Sequence, residues 1–302
     1  MTVRPAHPDD APALVALRHT VYPYLVRGEA STRRQLATPP PDSSLAAFVA
    51  VSGTGEVVGF STAFRNTSTS APHAGQVSLL HVHPAHRGRG HGSALLTASL
   101  SHLRGCGLRN VRGYVTPESL PFATARGFTA SRELRYSRLD LTTPLPPPPP
   151  LPSGYTLVPV SALTDRALFA AETGGVADEP SDVAPDALTF DHWRYDVWEE
   201  PGLDRDASFA VLDPDCAVAS FSLLLRDGDR YWSDMTATLP AHRGLGLARL
   251  AKTAALSHAA ATGGTVAYTS NDTANAPMLA VNTRLGYVPT ATALSVLTTL
   301  TP

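Results

Sequence analysis

Cysteine, lysine and long apolar runs are all scarce in this 302-residue chain, and each scarcity removes a class of answers. The two cysteines, Cys106 and Cys216, fall in different halves and neither has ligand-type neighbours, so no structural disulfide and no metal site are expected. The only lysine is Lys252, and the net charge is −2, which makes nucleic acid a minor reading. No run of ~18 or more apolar residues is present to cross a membrane. The opening residues, MTVRPAHPDD, lack the charged-then-apolar pattern of a secretion signal. The expectation is a cytoplasmic protein with no membrane partner.

What the chain does have is repetition. Pro-Ala-His-Arg-Gly occurs at 84–88 and again at 240–244, 156 residues on. Each copy opens a turn of small residues that runs from a strand into an apolar-periodic helix, predicted at 89–104 and 245–261. Free backbone N–H groups at the positive end of a helix dipole make such a turn a seat for pyrophosphate. Other phosphate motifs fit poorly. No Gly-Lys-Ser/Thr follows either turn, and no acidic residue follows the first within about 20 residues to hold a ribose.

The proline run Pro146–Pro150 favours a stiff polyproline II spacer, which divides the chain into 1–141, a linker at 142–153, and 154–302. Both halves read strand, helix, hairpin, strand, repeated turn, helix, strand, short helix and final strand. Arg87 to Phe128 is 41 residues and Arg243 to Tyr287 is 44, so the halves are duplicates. Their charges differ. Residues 1–150 carry 15 Arg against 8 Asp and Glu, and residues 151–302 carry 9 Arg and Lys against 18 Asp and Glu. The first half is therefore basic and the second acidic, which suits steering of anions and cations, or docking of the halves on each other.

The R-x-x-G-x-G/A pattern after a strand, with a helix ending in Gly-Phe or Gly-Tyr about 40 residues later, resembles the GNAT superfamily of acyl-CoA-dependent N-acyltransferases. The tandem layout is similar to that of mycothiol synthases, although nothing in the residues selects a substrate. The resemblance implies an α/β fold: two tandem GNAT-like domains, each a mixed, mostly antiparallel sheet with a V-shaped split, flanked by helices. It also implies that the turns grip coenzyme A. The first seat would be Val82, His83, Arg87, Gly88, Arg89, Gly90, His91 and Gly92. The second would be Ala237, Thr238, Arg243, Gly244, Leu245, Gly246, Leu247 and Ala248. Arg87 and Arg243 serve either phosphate or the corner itself.

Amine acylation needs a route for the ammonium proton and a donor for the leaving thiolate. Many members of the superfamily place a carboxylate on the strand before the turn and a Tyr five residues before the final aromatic. Counting back from Phe128 gives Ala123, and from Tyr287 gives Asn282, so neither half has the Tyr. Alternation puts Asp234, Thr236 and Thr238 on one strand face, and Ser78, Leu80 and Val82 on the matching face of the first half. Asp234 reads as base, base relay or a strand-end hydrogen-bond partner. His81 and His83 read as core or rim residues. Asn271 and Asn275 are candidates for the pantetheine arm, with Asn275 also a helix N-cap, and Asn282 for the thioester. An acidic loop at 172–186 is expected to receive a cationic acceptor through Glu172, Asp178 and Asp182, with Trp193 as a pocket wall or a core residue.

The functional expectation is an N-acyltransferase using acetyl-CoA or another short acyl-CoA and a small, cationic primary amine, with chemistry in the second half. Two other readings stand beside it. One is a coenzyme A-binding sensor or scaffold without turnover. The other is an acyltransferase whose donor is an acidic carrier protein or an aminoacyl-tRNA met by the basic first half.

Overall fold

The computed structural model describes residues 2–175 and 180–301. The chain forms two compact units. The first comprises Met1–Leu134, Asp182–His192 and Thr292–Pro302, and the second Arg135–Ser181 and Trp193–Ala291.

The first unit begins with β1 (Thr2–Pro5), α1 (Ala11–Val21), α2 (Glu29–Ala37) and the hairpin β2 (Ala46–Val51)–β3 (Val57–Arg65). Then come β4 (Ala74–Val82), α3 (His91–Gly105), β5 (Asn110–Val115), α4 (Leu120–Thr124) and the start of β6 (Thr129–Asp140). After the rest of β6 the second unit repeats the plan. It has β7 (Thr156–Pro159), α5 (Asp165–Gly175), a short α6 (Phe190–Trp193) shared between the units, and the hairpin β8 (Phe209–Leu212)–β9 (Val218–Asp227). It continues through β10 (Arg230–Thr238), α7 (Leu247–Ala261), β11 (Val266–Asp272) and α8 (Ala276–Leu285) into β12 (Val288–Thr299).

From β1 to β5 and from β7 to β11, successive neighbouring strands are antiparallel except at one place in each unit, where β4 runs parallel to β5 and β10 parallel to β11. The sheets are therefore mixed and mostly antiparallel, and helices cover them. Apolar residues recurring along α7 (Leu250, Ala251, Ala255, Leu256, Ala259) pack with Ala219, Leu224, Tyr231 and Ala267 of the strands. In the first unit, Leu96 and Leu103 of α3 pack with Val77, Val111 and Phe128. Both helices start two residues later than the sequence predicts. Gly88, Gly90, Gly244 and Gly246 hold φ between +73° and +84°, a left-handed backbone from which a right-handed helix cannot begin.

The last sheet position of each unit is filled from a distant part of the chain. Leu294–Thr299 of β12 pairs antiparallel with Val115–Asn110 of β5. The same segment places Val296 and Leu300 in the first unit's core. In the second unit that position belongs to β6, whose residues from Arg135 onward bring Leu139 toward its core, followed by Leu141. Among the described residues no helix is long and apolar enough to cross a membrane.

Because the chain's final strand closes the first sheet, a core cavity there is felt some 190 residues upstream. Leu300→Ala is expected to cost about 2–3 kcal/mol. It should speed amide exchange in β5, whose entry residue Arg109 accepts a hydrogen bond from the Leu300 N–H. Hydrogen exchange combined with urea unfolding measures both.

Candidate functional site

In each unit the parallel strands pair for three residues and then part. β4 and β5 pair from Ala74/Asn110 to Gln76/Arg112, and β10 and β11 from Arg230/Val266 to Trp232/Tyr268. Beyond those points both strands run on without pairing to each other. Ser233, the first residue past the split in the second unit, is tied across only by its carbonyl, which accepts from the Thr269 hydroxyl at 2.9 Å.

The strand on the other side shows why the paths diverge. From Ser233↔Leu224 to Thr236↔Ser222, β10 uses one residue more than β9, which is a β-bulge. The first unit has its own bulge between Ser78↔Thr62 and His81↔Phe60, with Leu79 at φ +53°. These bulges overturn the alternation read from the sequence. Directly paired residues share a face, so Ser233, not Asp234, lies on the face of Thr236 and Thr238, and Ser78 shares its face with His81. Thr236 and Thr238 meet the hydroxyls of Ser222 and Ser220, each at 2.9 Å. Asp234 instead accepts from the Trp232 indole N–H at 3.1 Å.

At the other end of each split the strand turns into a helix. Arg87 Nε donates to the Val82 carbonyl at 3.1 Å, and Arg243 Nε to the Thr238 carbonyl at 3.2 Å. Both arginines thus close the corner back onto the strand end. A side chain at Gly88 or Gly244 would project into open space where the helix points its unpaired N–H groups. In the second unit, the first bond of α7 runs from the Leu250 N–H to the Gly246 carbonyl, and Leu245 is exposed. The corner there is held further by His242, bonded to the Tyr155 hydroxyl at 2.8 Å and facing Asp213 at 3.6 Å. In the first seat Val82 is buried and the His83 Nδ1 accepts from the Ala85 N–H at 3.2 Å. Arg89 is exposed, and His91 is buried with its basicity lowered by burial and then by His86. Gly92 stands beside the Phe122 ring.

From the second turn a cleft of ≈ 910 Å³ runs up the split. Its walls are β10 from Trp232 to Thr238, the turn and first turns of α7 including Ala248, and Asn271 and Asn275. Among the described residues its ionisable groups, apart from Asp234, are His242, Arg243, Arg249, Lys252 and Arg284, a bias suited to a phosphorylated ligand. Asn275 caps α8, its side chain accepting from the Met278 N–H at 3.2 Å. Asn282 is buried and donates its amide to Asn271 at 2.6 Å.

Of the acidic loop's described residues, Gly175 and Pro180 line this cleft, whereas Glu172, Asp182 and Asp186 do not. Asp182 accepts from the Ser131 and Ser295 hydroxyls, and Asp186 from Ser70, which hold residues 182–192 in the first unit. Glu172 is buried on α5, and Trp193 is fully buried beside Phe169 and stacked on Trp198. Asp178 lies outside the described residues.

The family described as "Acetyltransferase (GNAT) family" matches residues 13–128 and 176–287, once in each half. The chain belongs to the GNAT acetyltransferases. It is 30% identical over 265 residues to a mycothiol acetyltransferase of Streptomyces coelicolor, covering 85% of this chain and 80% of that one. A mycothiol acetyltransferase of Streptomyces scabiei is 30% identical over 236 residues, 77% of this chain and 73% of the relative. Among solved structures, a tandem GNAT protein from the clavulanic acid biosynthesis pathway superposes with TM-score 0.76 over 100% of this chain and 99% of its own, at 22% identity. A GCN5-related N-acetyltransferase from Sphaerobacter thermophilus gives TM-score 0.74 at 20% identity, over 100% and 96%. Both share the fold.

A GNAT acetyltransferase uses an acyl-CoA donor, and the second unit suits it. The positive-φ glycines leave room beside the helix N-terminus, and the cleft connects that end to the split. Three cleft-side residues escaped the sequence reading: Ser233, Lys252 and Tyr287. All three are buried. The Lys252 ammonium lies over the Tyr287 ring at 5.2 Å, and burial pushes it down to about 7. Burial drives the Tyr287 hydroxyl upward, although Ser233 lies close enough to oppose this slightly. Neither hydroxyl reaches hydrogen-bond geometry with any partner among the described residues. A signal was available, because Lys252 is the sole lysine and stands 156 residues after Leu96, the spacing of the repeat.

The first GNAT unit holds a different buried base. His81 lies edge-on to Tyr22 at 5.4 Å and to Phe60 at 6.0 Å, and neither ring nitrogen reaches hydrogen-bond geometry. Burial, and then the Arg18 charge, push it down to about 3. The unfolded chain takes up this proton near the ordinary 6.5 and the folded chain only near 3, so stability falls as pH drops through that window. His81→Leu should therefore lose less stability than wild type between pH 7 and about 4.5, as read by urea unfolding at both pH values.

Proposed function

We propose that the second unit is the catalytic one and transfers an acetyl group from acetyl-CoA to the primary amine of a small molecule. One observation carries this reading. A carboxylate, Asp234, stands just past the point where β10 and β11 part, on the wall of the cleft that reaches the α7 N-terminus. At the corresponding place the first unit has Ser78, with buried Ala123 where a reactive group would stand on α4.

In this reading the N–H groups of the turn from Arg243 to Ala248 hold the pyrophosphate. The β10 edge at Ala237 and Thr238, with Asn271 and Asn275, holds the pantetheine arm. The thioester supplies an activated acyl group. Asp234, fixed by the Trp232 indole, accepts the proton of the acceptor's ammonium directly or through water. The turn from Arg87 to Gly92, with Val82 and His83, offers a second coenzyme seat without a matching carboxylate. The curated relatives make mycothiol lacking its acetyl group the first acceptor to assay.

Thiol release from acetyl-CoA across a panel of amines tests the activity, and calorimetric titration tests the seat. Gly246→Glu, which sets a carboxylate at the helix N-terminus beside Pro149, is expected to weaken acetyl-CoA at least roughly tenfold. Asp234→Asn should lower turnover on the order of 10²-fold with affinity unchanged. Tight coenzyme binding without thiol release for any amine would remove the enzymatic reading. A fully active Asp234→Asn would move the base elsewhere, with His81 of the first unit next in line.

A further inference from the structure

The two units offer an internal comparison at three core positions. Val77, Leu96 and Phe128 belong to one apolar cluster in the first unit. Their counterparts in the second unit, by the repeat spacing and by the shared Gly-Phe/Gly-Tyr ending, are Ser233, Lys252 and Tyr287. Three apolar groups have become three polar ones, all buried and all gathered where β10 leaves β11. Ser233 and Lys252 form part of the cleft wall.

We propose that Lys252 is a catalytic residue of the second unit: its ammonium, held over the Tyr287 ring at the split, delivers the proton to the sulfur that leaves in acyl transfer. The inference rests on the acetyltransferase reading of the same cleft.

A structural role explains the lysine poorly. An ammonium taken out of water is costly unless paired, and Lys252 has neither an ion pair nor a hydrogen bond among the described residues. Leucine fills the equivalent place in the first unit. The position is one where a proton donor is needed, because the α8 position expected to carry a Tyr holds Asn282, whose amide is engaged by Asn271. Among the described residues, the charged and titratable groups lining the cleft with it are Asp234 from β10, Arg249 from α7 itself, Arg284 from α8, and His242 and Arg243 at the turn, with Tyr287 from the connection between α8 and β12 beneath its ammonium. Burial alone accounts for its lowered basicity, and an acid poised near 7 protonates a thiolate, whose ordinary value is near 8.5, downhill. In the step, the acceptor nitrogen forms the C–N bond at the thioester carbonyl and the C–S pair stays on sulfur. Asp234 passes the ammonium's first proton to solvent before attack and then takes the second, which the nitrogen releases after the C–N bond forms; Lys252 gives the sulfur its proton, and solvent exchange resets both.

The test uses the full chain with Lys252→Leu, and Lys252→Met should the first variant fail to fold. Acetyl-CoA affinity by calorimetry should stay within about threefold of wild type, while kcat falls on the order of 10²-fold. The limb of the kcat–pH profile that reports the lysine should disappear. The Tm should rise, and by more at about pH 6 than at about pH 9. The buried charge is fully present below 7, and its penalty fades toward 10.5, where the unfolded lysine also loses its proton. Unchanged kcat, or a loss of kcat accompanied by a lower Tm in both variants, would overturn the proposal and leave the acetyltransferase reading in place. A wild type that binds no acetyl-CoA would overturn both.

Discussion

In each unit a parallel pair of strands is hydrogen-bonded for three residues and then released, because the inner strand takes on an extra residue against its antiparallel neighbour. That release leaves strand edges unpaired, and in the second unit a cleft opens along them. The helix in turn begins at left-handed glycines, with its first N–H groups unpaired and facing the same opening. In the proposed reading this one constraint provides for an elongated, phosphorylated acyl donor, its anion end at the helix terminus and its acyl end at the vertex of the split.

Built on that frame, the two units diverge in what they place at the vertex. The first fills it with Val77, Leu96 and Phe128, an ordinary apolar core. The second substitutes Ser233, Lys252 and Tyr287, and places Asp234 one residue further along. Polar groups buried without full satisfaction lower stability, and they are concentrated at these positions of the second unit and absent from those of the first. The first unit keeps a seat and a buried neutral imidazole.

Charge distribution reads differently in three dimensions than along the chain. The second half is acidic in sequence, yet among the described residues the ionisable groups lining its cleft, apart from Asp234, are arginines, a lysine and a histidine. Of the acidic loop's carboxylates, Asp182 and Asp186 accept from serine hydroxyls and a backbone N–H of the first unit.

The sequence by itself determined the duplication, the order of strands and helices, the repeated turn and the family. All of these depend on local signals: periodicity, glycines at fixed offsets, and a cap such as Asn275. Its helix starts were two residues early, because the left-handed glycines belong to the turn. Tertiary structure alone decided which strand closes each sheet, since β12 finds β5 across nearly the whole chain by pairing that no local pattern encodes. It also decided which face Asp234 takes, because a single bulge residue reverses every alternation beyond it. Lys252 is the plainest case: its helix position was legible, but burial beneath Tyr287 depends on how α7, β10 and the start of β12 meet.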